Sequence, residues 1–213
     1  MPTEASYKIR TKQRNVFLRV SRGHFATNHS HINYYIDVTT QKTRLSEAQA
    51  VASELVSYYN NSTVVDSILC LDGMQVIGTC LAHELTKGNF VSVNAHQTIY
   101  VLTPEHTAGS QIIFRDSLQS ALRGKHVLIL AASVTTGYTA QSAVEAIRYY
   151  GGEVAGIASI FATVEECSGY PVRSVFNPND LEDYESYPSH ECPMCRAGKR
   201  IDALVNSFGY SKL

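Results

Sequence analysis

The stretch Val127-Leu128-Ile129-Leu130-Ala131-Ala132-Ser133-Val134-Thr135-Thr136-Gly137-Tyr138-Thr139-Ala140 decides the fold. Its leading aliphatic residues, Val127 to Leu130, read as a buried strand, and a run of small and hydroxylated residues follows. From Gln141 to Tyr150 the period changes. Ala140, Ala143, Val144 and Ile147 fall at i, i+3, i+4 and i+7, one face of a helix. A strand, a hydroxyl-rich turn and a helix in succession make an anion site, because unpaired N–H groups and the helix dipole both favour negative charge there. Thr135, Thr136 and Thr139 add hydroxyl donors, and Gly137 lets the backbone turn tightly around an oxyanion. Ser133 and Tyr138 complete the expected phosphate-binding set. The same residues also suit an ordinary helix start.

Working outward, Ser67-Ile68-Leu69-Cys70-Leu71 reads as a second buried strand. Asp72-Gly73 then turns the chain into a helix carrying Val76, Ile77, Cys80, Leu81 and Leu85. Before it, Leu45, Ala48, Ala52, Leu55, Val56 and Tyr59 share a helix face. After the central unit, Gly151-Gly152 closes a helix and Val154 to Phe161 reads as a strand. Val16 to Val20, Phe90 to Asn94 and Ile99 to Leu102 also read as strands, with Gln111 to Phe114 as a flap strand. Residues 1–14 read as a polar lead-in. Ile201, Leu204, Val205 and Phe208 read as an apolar helix face. Two strand–turn–helix units predict a Rossmann-like α/β fold with a parallel sheet flanked by helices, in a single domain over 1–213.

Composition narrows the classes. The chain has 213 residues, a formal net charge of −1 and 17% charged residues, which are globular values with no basic face for nucleic acid. No apolar run approaches the roughly 20 residues that span a membrane. The polar N-terminus has no signal-peptide core, and the chain carries 5 cysteines. An odd count of thiols without an export signal is expected in the cytoplasm.

The central stretch resembles the signature of the type I phosphoribosyltransferases. In that family an apolar strand meets two acidic residues, then a Thr-Thr-Gly-x-Thr turn, then a helix. The resemblance implies that Thr135 to Thr139 hold the 5′-phosphate of phosphoribosyl pyrophosphate (PRPP) or of a nucleotide. The acidic pair that would hold the ribose hydroxyls is replaced by Ala131 and Ala132. Gly23, Phe25, Ser30, Tyr34 and Tyr35 resemble the N-terminal hood of the orotate branch, spanning approximately residues 15–40, with Asn28-His29 in place of its Ser-Gly turn. Phe25, Tyr34 and Tyr35 are then the base-side candidates. Asp72, Gly73 and Met74 correspond to the pyrophosphate loop, although the usual Gly-Gly is missing. The catalytic loop of that branch carries lysines. Thr103 to Gly109 has no Lys or Arg, and His106 and Gly109 echo it loosely. Where that branch places an Arg for the orotate carboxylate, Ala162 and Thr163 stand.

The tail, approximately residues 188–213, carries His190-Glu191-Cys192-Pro193-Met194-Cys195. Thiolates at Cys192 and Cys195 make half of a tetrahedral zinc site. The spacing leaves open a structural zinc, a redox pair and a plain Cys-rich turn. His29 and His31, two residues apart with no nearby Cys, are a weaker metal pattern than a satisfied polar loop.

Phosphoribosyl transfer needs negative charge beside the ribose and positive charge beside the leaving pyrophosphate. The expected function is therefore an orotate phosphoribosyltransferase-like protein that binds a 5′-phosphorylated ribose compound, with weak or altered transfer and Mg²⁺ accompanying any bound PRPP. The alternative is a non-catalytic nucleotide or phosphosugar sensor acting through a protein partner. The resemblance also implies a homodimer. No nucleic-acid or membrane partner is expected.

Overall fold

The computed structural model describes residues 6–10, 16–59, 61–87, 92–95, 97–109, 111–206 and 208–213. The first part of the chain forms β1 (Tyr7–Arg10), β2 (Phe17–Ala26), β3 (His31–Asp37), α1 (Thr39–Thr43) and α2 (Leu45–Leu55). Then come β4 (Ser67–Cys70), α3 (Gln75–Thr86), β5 (Tyr100–Leu102), β6 (Glu105–His106), β7 (Ile112–Ile113) and α4 (Asp116–Gln119). The central unit is β8 (His126–Val134), α5 (Tyr138–Tyr149) and β9 (Glu153–Ala162). The chain ends with β10 (Glu166–Cys167), β11 (Tyr170–Phe176), β12 (Ser186–Tyr187), α6 (Pro193–Arg196), β13 (Ala203–Asn206) and β14 (Gly209–Lys212).

The central sheet runs β10-β11-β9-β8-β4-β5, and from β11 to β5 neighbouring strands are parallel. β8 sits in its middle and is buried on both faces, which is why its sequence is a continuous apolar run rather than an alternation. Leu128 and Leu130 join one cluster, with Ile77 and Leu81 of α3 and Leu55 of α2. Val127, Ile129 and Ala131 join the other, with Ala143, Val144 and Ile147 of α5. Gly78 lets α3 lie against β4, because an added Cβ there would collide with Cys70 Sγ.

The hood is a second sheet, ordered β12-β3-β2-β13-β14, with β1 also paired to β2. Glu47 ties it to the helices, accepting from the Arg19 guanidinium at 3.4 and 3.5 Å and from the Thr40 hydroxyl at 2.6 Å.

Several elements differ from expectation. β8 continues to Val134, and α5 starts at Tyr138 rather than Gln141. The last turn of the helix expected through Tyr59 is a 3₁₀ turn over Val56–Tyr58. The strand expected from Phe90 begins outside the described residues, and Asn94 lies in a turn. There the buried Asn94 side chain bonds Val65 N–H and Thr63 C=O at 2.9 Å each, so it serves the loop rather than a ladder. Residues 7–10 of the expected polar lead-in form β1. The expected tail helix is a hairpin of β13 and β14. Ala203 and Val205 point inward and Leu204 outward, a period of two that Gly209 at φ 140° helps to turn. The sequence does not mark β11 as a strand, because Pro171, Arg173 and Ser174 dilute its apolar pattern.

Candidate functional site at the C-terminal edge of the parallel sheet

Because β4, β8 and β9 are parallel, the loops that follow them meet on one edge, where ligands bind in open α/β sheets. Asp72, the turn after Val134, and Thr163 are therefore brought together. Thr163 closes the turn from behind. Its N–H donates to Val134 O at 3.0 Å and its hydroxyl to Thr135 O at 2.8 Å. Gly137 is the N-cap of α5 at φ 79°, a left-handed conformation that suits glycine, and no side chain caps the helix. Among the described residues, the first-turn N–H groups of α5 have no side-chain acceptor.

A cavity of about 250 Å³ opens over this turn. Ser133 and Thr135–Thr139 line it from the sheet, Asp72 and Ala132 from below. The hood contributes Thr27 to Ser30 and Tyr35, and the tail hairpin contributes Val205, Asn206 and Gly209. His29 reaches across to Tyr138, with ring centroids 5.0 Å apart, so the hood loop touches the turn directly. A second, larger groove of about 1330 Å³ shares Asn28, His29, Asp72, Tyr138 and Thr139 with the first. It runs past Gly73 and Gln75 to Thr103, His106 and Gly109.

Among the described residues, neither space is lined by Lys or Arg, and Asp72 is the acidic side chain of the first. The flap is the β6–β7 hairpin. Its neighbouring cation, Arg115, is tied to Glu105 at 2.6 Å. The acidic pair of the resembled signature is absent in a specific way. Both alanines in its place are buried: Ala132 borders the cavity from the cluster that holds α2 and α3, whereas Ala131 is packed into the cluster beneath α5. Asp72 fills part of the gap, since its Oδ2 accepts from Ala132 N–H at 3.3 Å. Asp72 holds φ 54°, an uncommon conformation for a residue with a Cβ.

Sequence reasoning missed Lys42. It lies buried on α1 and donates from Nζ to Asp72 O at 2.9 Å. Burial lowers its pKa, and the charges of Asp72 and Asp37 oppose that shift. The signal was available as a lone lysine among Thr and Gln on a short helix after the hood, but its partner is thirty residues away.

The base-side candidates divide. Tyr35 lines the cavity, and its hydroxyl is pushed up to about 12 by burial, with Asp37 and Tyr210 adding to the shift. Phe25 packs with Ile32, Ala203 and Val205 inside the hood and does not reach the cavity. Tyr34 is fully buried and joins the hood to the 182–184 segment. Its hydroxyl donates to Glu182 O at 2.8 Å and accepts from Arg22 Nε at 2.6 Å. The bulge between Arg22 and Phe25 shifts the register of β2 against β3, which the alternation alone did not reveal. Of the loop candidates, Asp72 and Gly73 line the larger groove, while Met74 is turned into the core as N-cap of α3. Cys192 and Cys195 line neither space and lie beside His24 and His31. His29 is not with them.

Comparison with known proteins gives a consistent picture. No protein-family model matches the chain. The orotate phosphoribosyltransferase of Chlorobaculum parvum is 27% identical over 184 residues, covering 85% of this chain and 86% of that protein. That of Chlorobium phaeobacteroides is 26% identical over the same extent. Among solved structures, UMP synthase of Leishmania donovani aligns with a TM-score of 0.55 at 21% identity, over 76% of this chain and 34% of that one. Orotate phosphoribosyltransferase of Mycobacterium tuberculosis aligns with a TM-score of 0.51 at 21% identity, over 77% and 92%. Adenine phosphoribosyltransferase of Trypanosoma brucei aligns at 0.53 and 13% identity, over 78% of each chain. At these identities the structural matches speak for the fold.

Proposed function

The chain is a divergent relative of the orotate phosphoribosyltransferases on the type I phosphoribosyltransferase fold, and from that premise we propose that it binds PRPP or a nucleotide through its 5′-phosphate and transfers the ribosyl group weakly or with altered specificity. The observation that carries this reading is the uncapped start of α5 at Gly137, inside a cavity that also holds Asp72 and is roofed by the hood. Ser133, Thr135, Thr136, Gly137, Tyr138 and Thr139 take the phosphate. Asp72 takes the ribose side, and Gly73 borders the groove for the pyrophosphate. Tyr35 faces the base.

Mg²⁺ bound with PRPP would neutralise the pyrophosphate, and a single carboxylate plus substrate phosphates is an ordinary Mg²⁺ donor set, which Asp72 fits. Asp72 orients the ribose, and Lys42 fixes the Asp72 backbone from behind. What is missing is positive charge at the leaving group. Each charge-assisted hydrogen bond contributes roughly 1.5–3 kcal/mol, so the lost ribose carboxylates (Ala131, Ala132), the lost loop lysines and Ala162-Thr163 in place of an Arg together slow transfer by many powers of ten. The same deficits favour a second reading, a non-catalytic sensor of a phosphorylated ribose compound that signals through a protein partner.

A turnover assay with PRPP, Mg²⁺ and orotate tests the reading. We expect kcat well below the ordinary range of about 1–10³ s⁻¹. A value inside that range overturns the claim of weak transfer. A homodimer is part of the same proposal. Phe208 at 85% and Tyr149 at 83% exposure support it. Light scattering at tens of micromolar should give twice the 23.5 kDa chain mass. Five free thiols fit a reducing, cytoplasmic setting.

A further inference from the structure

We propose that His24, His31, Cys192 and Cys195 form a structural zinc site that fastens the C-terminal segment to the hood. None of the four lines the phosphate-side cavity or the larger groove. Two come from β2 and β3 and two from the other end of the chain, yet their ligand atoms all lie within 4.8 Å of one another. His24 Nε2 is 3.2 Å from His31 Nδ1, 3.5 Å from Cys192 Sγ and 3.7 Å from Cys195 Sγ. His31 Nδ1 is 3.2 Å from Cys195 Sγ. With ordinary Zn–S and Zn–N bonds, a regular tetrahedron has edges of about 3.3 Å between nitrogens and about 3.6 Å between nitrogen and sulfur. These four separations agree with those edges to within a few tenths of an ångström, and the remaining two, from Cys192 Sγ to His31 Nδ1 and to Cys195 Sγ, lie within 4.8 Å.

The surroundings support the assignment. His24 Nδ1 faces Lys199 O at 2.9 Å and Arg200 O at 3.2 Å. Only a protonated Nδ1 satisfies those carbonyls, which leaves the Nε2 lone pair aimed at the cluster, the outer-shell arrangement of metal-ligating histidines. His24 and Cys192 are buried, and His31 nearly so. Four protein ligands leave no open position, and a Cys₂His₂ set selects zinc over hard cations. The site is therefore structural rather than catalytic.

Its mechanical role follows from the connections on either side. After α6 the chain returns along β2, where Asp202 N–H donates to His24 O and Asp202 Oδ2 accepts from His24 N–H, both at 2.7 Å. β13 then pairs in parallel with Phe25 and Ala26. Parallel pairing over two residues is a small ladder for holding a tail, and the metal adds a cross-link directly before it. The histidines also bracket the Thr27–Ser30 loop of the hood.

The test is metal analysis of the full chain purified under reducing conditions without added metal, together with X-ray absorption at the zinc edge. The expected result is about one zinc per chain, with two sulfur and two nitrogen ligands, and a Tm that falls on chelation and returns with zinc but not with magnesium. Cys192→Ser and Cys195→Ser should lose the zinc. Should those variants fail to fold, His31→Cys keeps a competent set and should hold zinc with three sulfurs. Substoichiometric metal with a Cys192–Cys195 disulfide by mass spectrometry would overturn the proposal. So would zinc retained with only nitrogen and oxygen ligands, or an unchanged sulfur count in His31→Cys.

Discussion

Asp72 Oδ2 accepts a hydrogen bond from the backbone N–H of Ala132 at 3.3 Å, so a carboxylate from the β4–α3 loop stands where the β8 strand offers only a methyl group. Asp72→Asn is the informative substitution, because Asn tolerates the φ 54° backbone that Asp72 holds. The fold should survive with little change in Tm. Affinity for PRPP with Mg²⁺ should fall by about tenfold or more, the loss of one charge-assisted interaction of roughly 1.5–3 kcal/mol. Calorimetry on both proteins reads this, and equal affinities would remove Asp72 from the ribose side.

The two alanines should respond differently to the same change. Ala132→Asp presents a second carboxylate to the cavity at some cost in stability, because Ala132 is itself buried at its edge, and should raise PRPP affinity in Mg²⁺ more than it raises turnover, since the groove still lacks cations. Ala131→Asp puts a charge into the apolar layer under α5 and should cost roughly 3 kcal/mol or more of stability. Urea unfolding separates the two.

Gly137→Ala tests the turn itself. A Cβ there would lie 3.2 Å from Cys167 Sγ, at a residue with φ 79°. The left-handed backbone costs about 1–2 kcal/mol for a residue with a Cβ. Thermal unfolding should show that loss, and phosphate affinity should fall with it. A variant of unchanged Tm would mean that the turn relaxes without cost.

Glu47 carries a pH signature. Burial opposes its ionisation, but the Thr40 hydroxyl and the Arg19 guanidinium outweigh that, so its pKa lies below the ordinary carboxylate value. A carboxylate depressed in the folded state stabilises fully above its unfolded pKa, and that contribution disappears as pH falls through the folded value. Glu47→Gln should thus cost about 1 kcal/mol at neutral pH, discounted for partial exposure. The difference between the proteins should vanish in acid. Denaturant titrations at pH 7 and below 4 check the sign.

The central strand–turn–helix was legible because β8 is buried on both faces and α5 on one, and each leaves its own period in the sequence. Pairs that meet only in the fold were not legible. Nothing local marks Lys42 as the partner of Asp72, or His24 and His31 as companions of Cys192 and Cys195. Tyr34 and Tyr35 looked equivalent as hood aromatics, yet adjacent strand residues face opposite sides, so one is core and the other cavity wall. The tail misled because Ile201, Leu204, Val205 and Phe208 satisfy a helical spacing, whereas pairing to Phe25 and Ala26 decides its conformation.

The most direct measurement is an amide NMR titration of the isotope-labelled chain with ribose 5-phosphate, with ribose as the control. A 5′-phosphate seated at the start of α5 predicts saturable shifts centred on the amides of Thr135 to Ala140 with ribose 5-phosphate and none with ribose. Saturable shifts confined to another part of the chain, or no shifts at millimolar ribose 5-phosphate, would contradict it.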